Sequence, residues 1–346
     1  MNMRKNIFTI LACAITAAMM FGCGSGAKKA AAETAAEKAR QDSIAAAEEA
    51  AKAKTIMETI ATLPEEPKAA LMLSHGMCEY IRRYRPFAEF LCENGIALVG
   101  NDHIGHGNSV TDSDMLGYFG EEGGFMYMVK DLHRMKIIME KKLPGIPHFL
   151  LGHSMGSFIA RIYLSRFEDR WDGAIIMGTA GGVTGSAPLR KLLDILCHSK
   201  DSRFRPEISK KLAFGLFNVR FHHRRTPNDW LSRWDENVDR FNADPLCNFT
   251  FTVAGFRDLL NALMCANSDC VIENTPTNLP MLFMSGSMDP VGEYGAGVRA
   301  ACMRYLEHGC MVNIHIYPEA RHELLFELNR DNVMEDILDF IRDHIK

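Results

Sequence analysis

The chain has 346 residues, 47% of them hydrophobic and 24% charged, proportions that allow a sizeable core in one large domain or two small ones. Its formal net charge is −4, and no basic run stands out. These values exclude the electrostatic footprint of a nucleic-acid-binding protein.

Residues 1–6 form a short basic segment with Arg4 and Lys5, followed by the apolar stretch Ile7 to Phe21. At roughly 15 residues that stretch is shorter than the about 20 a membrane-spanning helix needs. It ends in Met20-Phe21-Gly22-Cys23, which resembles the lipobox of bacterial lipoproteins, with Met20 where leucine is usual. The resemblance implies a signal peptide over 1–22, lipid on Cys23 and a membrane-anchored protein on the periplasmic or extracellular face. Cys13, after Ile10-Leu11-Ala12, fits locally but would leave almost no apolar segment before it. An uncleaved anchor helix is the alternative.

Residues 27–54 are dominated by Ala, Glu and Lys. These are strong helix formers with no large apolar stripe, so the segment reads as a solvated stalk over 23–54 or as plain disorder. From residue 55 to 346 the pattern is that of a folded domain. Thr55 to Thr62 offers one strand, and Ala69 to Ser74 a buried one. A helix is expected over Tyr84 to Glu93, stopped by Asn94-Gly95, then a strand at Ile96 to Gly100. A long amphipathic helix over Phe125 to Leu143 precedes a strand at His148 to Leu151 and a helix over Met155 to Phe167. Strands at Ala174 to Met177, Met281 to Met284 and Val312 to Tyr317, and a last helix over Asn332 to Ile345, complete the set. Short apolar strands alternating with helices predict an α/β protein with a mainly parallel, doubly wound sheet. Between about 185 and 263 the chain is helix-rich, basic and aromatic, without a convincing strand, as a helical cap insertion would be.

Gly152-His153-Ser154-Met155-Gly156 fits G-x-S-x-G at the junction of a strand and a helix, the setting of a nucleophile elbow. A serine nucleophile needs a base, and the base a carboxylate to orient it. Asp289 follows the strand at Met281 to Met284, and His322 follows the strand ending at Tyr317. The order Ser154, Asp289, His322, each on a loop past a strand's carboxyl end, is that of a serine hydrolase triad. An oxyanion hole needs two backbone N–H donors. Met155, after the nucleophile, is one candidate; Met77, after Ser74-His75-Gly76, is the other.

Ser74-His75-Gly76-Met77, Asn101 to Ser109, Gly152 to Gly156, Gly286 to Val291 and Ala320 to Glu323 together make the chain similar to a known group. It resembles the monoacylglycerol lipase, lysophospholipase and serine aminopeptidase-like branch of the α/β-hydrolase fold, over about residues 68–346, and Asp244-Pro245-Leu246 adds to the likeness. The resemblance implies the triad roles for Ser154, Asp289 and His322 and the oxyanion pair Met77 and Met155. It also implies one edge strand fewer than usual, because the stalk occupies the place of the first.

Other readings carry less. Asp102, His103 and His106 lie in a glycine-containing turn, and a metal site there competes with a structural loop. His322-Glu323 begins like a zinc-protease helix, but phenylalanine stands at 326. The glycines at 178, 181, 182 and 185 fail the dinucleotide spacing. No metal or cofactor is expected. Phe249, Phe251, Phe256 and Trp230 could line an acyl pocket or fill the cap's own core. Eight cysteines, Cys78 to Cys310, are irregularly spaced and expected mostly as buried thiols, though export would permit some pairing. The basic bias of 190–240 favours a small acyl-ester substrate such as a monoacylglycerol or lysophospholipid over a free amino terminus. Aminopeptidase-type amide hydrolysis and a non-catalytic ligand-binding homologue are the alternatives. The sequence sets no oligomeric state.

Overall fold

The computed structural model describes residues 63–182, 186–199, 201–205, 215, 217–222 and 224–345. The expected signal peptide, Cys23, the stalk and the strand at Thr55 to Thr62 lie outside the described residues.

Six strands form one sheet: β1 (Ala69–Ser74), β2 (Ile96–Gly100), β3 (His148–His153), β4 (Gly173–Met177), β5 (Met281–Gly286) and β6 (Val312–Tyr317). Their order is β2-β1-β3-β4-β5-β6, and every neighbouring pair is parallel. The sheet is covered on both faces, which explains why the strands from β1 to β5 are continuous apolar runs rather than alternating ones.

Alternate residues of each strand enter different cores. Leu71, Leu73, Phe149, Leu151 and Ile175 pack with helices α1 (Arg85–Glu93) and α9 (Arg330–Asp343). Ala70, Met72, Leu150, Ala174 and Ile176 pack with α2 (Phe125–Lys142), α3 (Met155–Arg166) and α8 (Ala296–Glu307). Helix α1 starts with proline at its first turn and follows a 3₁₀ turn at Ile81–Tyr84, so it begins one residue later than expected.

Between β4 and β5 lie α4 (Ser186–Ser199), α5 (Asp235–Ala243), α6 (Val253–Ala266) and α7 (Asp269–Glu273). No strand occurs among the described residues of 186–263. Helices α7 and α8 were not expected from sequence. All eight described cysteines are free thiols, but only Cys78, Cys247, Cys302 and Cys310 are buried. The expectation that most would be buried is corrected: Cys92, Cys197 and Cys265 are half-buried, and Cys270 is exposed.

The strand order reverses beside β1, with β2 on one flank and β3 on the other. Ligands bind at such switch points, outside the strands' carboxyl ends. The register Ser74↔Gly152 brings those ends together. The loop after β1 and the turn after β3 are therefore neighbours.

Candidate active site

Ser154 caps α3 at its N-terminus with φ 53° and ψ −120°. This is a strained conformation for a residue with a side chain. Its N–H donates to Met177 O across the sheet end at 2.9 Å, which fixes the turn. The two glycines of the motif have steric causes. A Cβ on Gly156 would stand 2.0 Å from Ser74 O, and one on Gly152 would stand 2.6 Å from Gly156 O. Only glycine lets the elbow press so closely against the end of β1.

Asp289 and His322 are both buried, on the loops after β5 and β6. His322 Nδ1 donates to both carboxylate oxygens of Asp289 at 3.0 Å. That leaves Nε2 unprotonated, and it accepts from Ser154 Oγ at 2.9 Å. Asp289 is held in turn by the Val291 N–H at 2.9 Å. The structure thus brings Ser154, His322 and Asp289, which span 169 positions of the sequence, into one chain of hydrogen bonds, an arrangement in which a hydroxyl can pass its proton to an oriented imidazole.

Met77 and Met155 both face the same cavity as Ser154, and among the described residues neither backbone N–H has a hydrogen-bond acceptor. Gly76 passes so near the elbow that a Cβ there would lie 3.1 Å from Ser154 Cβ. Two free donors beside a serine hydroxyl can receive an oxygen that gains negative charge. The cavity measures about 220 Å³, far more than the ≳10–15 Å³ that one water requires. Apolar side chains dominate its walls, among them Phe158, Trp230, Phe241, Phe249, Leu259 and Leu263. Of the aromatics singled out from sequence, Trp230 and Phe249 line it, whereas Phe251 and Phe256 pack into the core.

Beneath these loops runs a buried ionic network that sequence reasoning missed. Glu79 Oε1 accepts from the Gly76 N–H at 2.5 Å, from Tyr84 OH at 3.0 Å and from His153 Nδ1 at 2.9 Å. Arg83 donates to Glu79 at 2.8 Å and, in bidentate fashion, to Glu323 at 2.8 and 3.1 Å. Asn237 of α5 donates to Glu323 at 2.9 Å. The Gly76-Met77 loop, the elbow residue His153, the residue after His322 and the helix α5 are thereby tied to one guanidinium. Burial would raise the Glu79 carboxyl, but the His153 hydrogen bond and the charges of His153 and Arg83 hold it well below the usual carboxylate range. Burial would lower the His153 ring, but Glu79 outweighs it and holds the ring above its ordinary value. Glu79 and Arg83 stand four apart and Glu323 follows His322, so the signal was a charge pair and a carboxylate beside the candidate histidine.

The loop after β2 is built by its own side chains. Asp102 accepts from the Ile81 and Asn108 N–H groups at 2.8 and 2.7 Å. His75 Nδ1 donates to Gly76 O at 2.8 Å, and its Nε2 accepts from the His103 N–H at 2.9 Å. His103 Nε2 meets Ser74 Oγ at 2.9 Å. These contacts shape the loops behind the Met77 and Met155 N–H groups. Burial lowers His75, lowers His103 strongly and holds His106 at about 3, so all three rings are neutral at pH 7.

Their titration has a definite sign. Each binds a proton more readily unfolded, so their stabilising contribution is full above about pH 6.5 and is lost as pH falls toward the folded values. His106 stacks on Phe119 at 5.5 Å, and its Nε2 is buried without a partner among the described residues. His106→Phe keeps the stack, loses the bond to Ile104 O, and removes the unpartnered nitrogen. Stability at pH 7.5 should change by no more than about 1 kcal/mol. Between pH 6.5 and 4.5 the variant's urea-unfolding free energy should fall less steeply than wild type, by up to about 1.4 kcal/mol per pH unit. Parallel curves would contradict the assignment.

The sequence model of the family described as "Serine aminopeptidase, S33" matches residues 65–329. A monoglyceride lipase homolog of Monkeypox virus is 28% identical over 284 residues, covering 81% of this chain and 91% of that protein. The monoglyceride lipase of Rattus norvegicus is 30% identical over 225 residues, covering 64% of this chain and 66% of its own length. Among solved structures, a highly thermostable carboxyl esterase from Bacillus coagulans in complex with glycerol superposes with a TM-score of 0.78 at 30% identity. The superposition covers 83% of this chain and 93% of the esterase. The chain is therefore a hydrolase of the α/β-hydrolase fold and belongs to the serine aminopeptidase S33 family, in the branch that includes the monoglyceride lipases.

Proposed function

We propose that the chain hydrolyses a carboxylic ester of a lipid-like substrate, a monoacylglycerol or a lysophospholipid, through an acyl-enzyme on Ser154. The observation that carries this reading is the Ser154–His322–Asp289 chain of hydrogen bonds at the floor of an apolar cavity. His322 takes the hydroxyl proton as Ser154 attacks the ester carbonyl, and Asp289 stabilises the imidazolium that forms. The Met77 and Met155 N–H groups stabilise the oxyanion. His322 then protonates the departing alcohol, and water, activated by the same ring, releases the acid.

The alternative of amide hydrolysis at a free amino terminus draws support from Glu79, Glu293 and Glu323, which line the cavity. Glu79 and Glu323, however, are committed to Arg83, and Glu79 also to His153 and Tyr84. Apolar walls suit an acyl chain better. A panel of p-nitrophenyl esters of increasing chain length, monoacylglycerol, lysophospholipid and aminoacyl-arylamide substrates separates the readings. The ester reading expects kcat/KM to rise with chain length and the arylamide to turn over at least about 10²-fold more slowly. A preferred arylamide would reverse the assignment.

The segment from about 185 to 263 acts in this proposal as a cap that selects the acyl chain. Cys23 carries lipid and places the enzyme at a membrane surface, where such substrates reside. Metabolic labelling with a fatty-acid analogue should mark the wild-type chain and leave Cys23→Ser unmarked. Equal labelling of both, or of neither, would sink the anchor.

A further inference from the structure

Arg161 is the largest fully buried side chain among the described residues, with no exposed surface. It sits on α3, two turns past Ser154. All five of its N–H groups find acceptors, and every acceptor is a neutral oxygen. Nε donates to Tyr305 OH at 3.1 Å, and Nη1 to Thr179 Oγ1 and Ala180 O, both at 3.3 Å. Nη2 donates to Ala266 O at 2.7 Å and Asn267 Oδ1 at 2.9 Å. A buried cation without a carboxylate partner is expensive. Here it stands at the C-terminal end of α6, where the carbonyls carry roughly half a negative charge, and beside the Tyr305 ring at 5.4 Å.

Four of those acceptors, on Thr179, Ala180, Ala266 and Asn267, occupy the two places where the 185–263 segment joins the sheet. The chain leaves β4 through residues 178–182 and returns through α6. Asn267 reinforces the junction, because its Nδ2 donates to both Ala180 O at 3.2 Å and Leu263 O at 2.9 Å. Each joined element also supplies cavity wall: Phe158 from α3, Ala180 from the exit loop, Leu259 and Leu263 from α6. Arg161 itself touches none of the reacting groups.

We infer that Arg161 is a positioning residue for substrate selection, a pin that holds both roots of the cap segment to the nucleophile's helix and so sets the width of the acyl-binding end of the cavity. The kinetic part of this inference rests on the ester-hydrolase reading above; the structural part does not. Arg161→Met keeps most of the volume and removes every donor. It should let the exit loop and α6 separate, loosening the wall against a long chain while leaving Ser154, His322 and Asp289 in place.

The test compares wild type, Arg161→Met and Asn267→Ala in two measurements. In the first, the ratio of kcat/KM for p-nitrophenyl laurate over acetate should fall about tenfold in Arg161→Met, with acetate within about threefold of wild type. In the second, hydrogen exchange should quicken together at 178–182 and across 258–267, and not in β1 or β3. Equal losses on both esters with unchanged protection at the two roots would overturn the inference. If Arg161→Met does not fold, Asn267→Ala decides: a smaller shift of the same sign supports the pin, and no change in ratio or protection overturns it. Should wild type hydrolyse no ester at all, the ester reading fails, and exchange at the two roots still decides the role of Arg161.

Discussion

Ser154→Ala is expected to reduce ester turnover by at least about 10⁴-fold while the circular dichroism spectrum stays that of wild type. The hydroxyl is the only group removed, and its side-chain hydrogen-bond partner is His322 Nε2. His322→Ala should lose nearly as much, and the double variant no more, because nucleophile and base act as a unit. The strained backbone at Ser154 adds a second readout. At φ 53° and ψ −120° a side chain costs about 1–3 kcal/mol, whereas glycine adopts the mirror-image region freely. Glycine gives back up to about 1 kcal/mol through the unfolded chain. Ser154→Gly should therefore be equally inactive yet more stable than Ser154→Ala by about 1 kcal/mol. A Ser154→Ala enzyme with near-native turnover would remove the nucleophile from the account. A glycine variant less stable than the alanine one would remove the strain.

The second large effect concerns Met77, whose side chain is expected to matter little and whose N–H is expected to matter greatly. The substrate carbonyl needs modest help in the ground state, but the tetrahedral intermediate carries a full negative charge. A preorganised donor is then worth about 10²- to 10³-fold in kcat. Met77→Leu keeps the donor and roughly the volume, so activity should stay within an order of magnitude. Met77→Pro deletes the donor and should lower kcat by at least that factor, with KM much less affected. Proline also restricts Gly76, whose N–H is held by Glu79, so part of the loss comes from the loop. Phosphonate labelling of Ser154 in the proline variant shows that the elbow survives. A folded Met77→Pro enzyme as fast as Met77→Leu would place the second donor elsewhere.

The elements around the site were legible because local rules and the fold agree there. Gly152 and Gly156 flank a serine between an apolar strand and a helix, and each glycine answers a close backbone approach. Asp289 and His322 follow strands whose apolar runs reflect burial on both faces. What stayed hidden depends on distance in sequence. Arg83 and Glu323 are 240 residues apart, and nothing in either neighbourhood marks them as partners. Arg161 sits in a helix whose pattern gives a charged residue no reason to be buried; its acceptors are backbone carbonyls and neutral side chains, which carry no sequence signal. Helix α8 has apolar residues at 298, 301, 302 and 305, a helical stripe, but Gly295 and Gly297 at its start read as loop. Phe251 and Phe256 matched the composition of an acyl pocket, and only packing directs them into the core.

The central claim is an acyl-enzyme on Ser154, and its most direct test is mass spectrometry of the quenched enzyme, intact and as peptides. The enzyme is mixed with a p-nitrophenyl ester, quenched in acid within the first turnover and digested. The account predicts one acyl group per chain, on the peptide containing Ser154, appearing with the burst of p-nitrophenol and absent from Ser154→Ala. Turnover without that adduct, or an adduct on another residue that survives in Ser154→Ala, would contradict it.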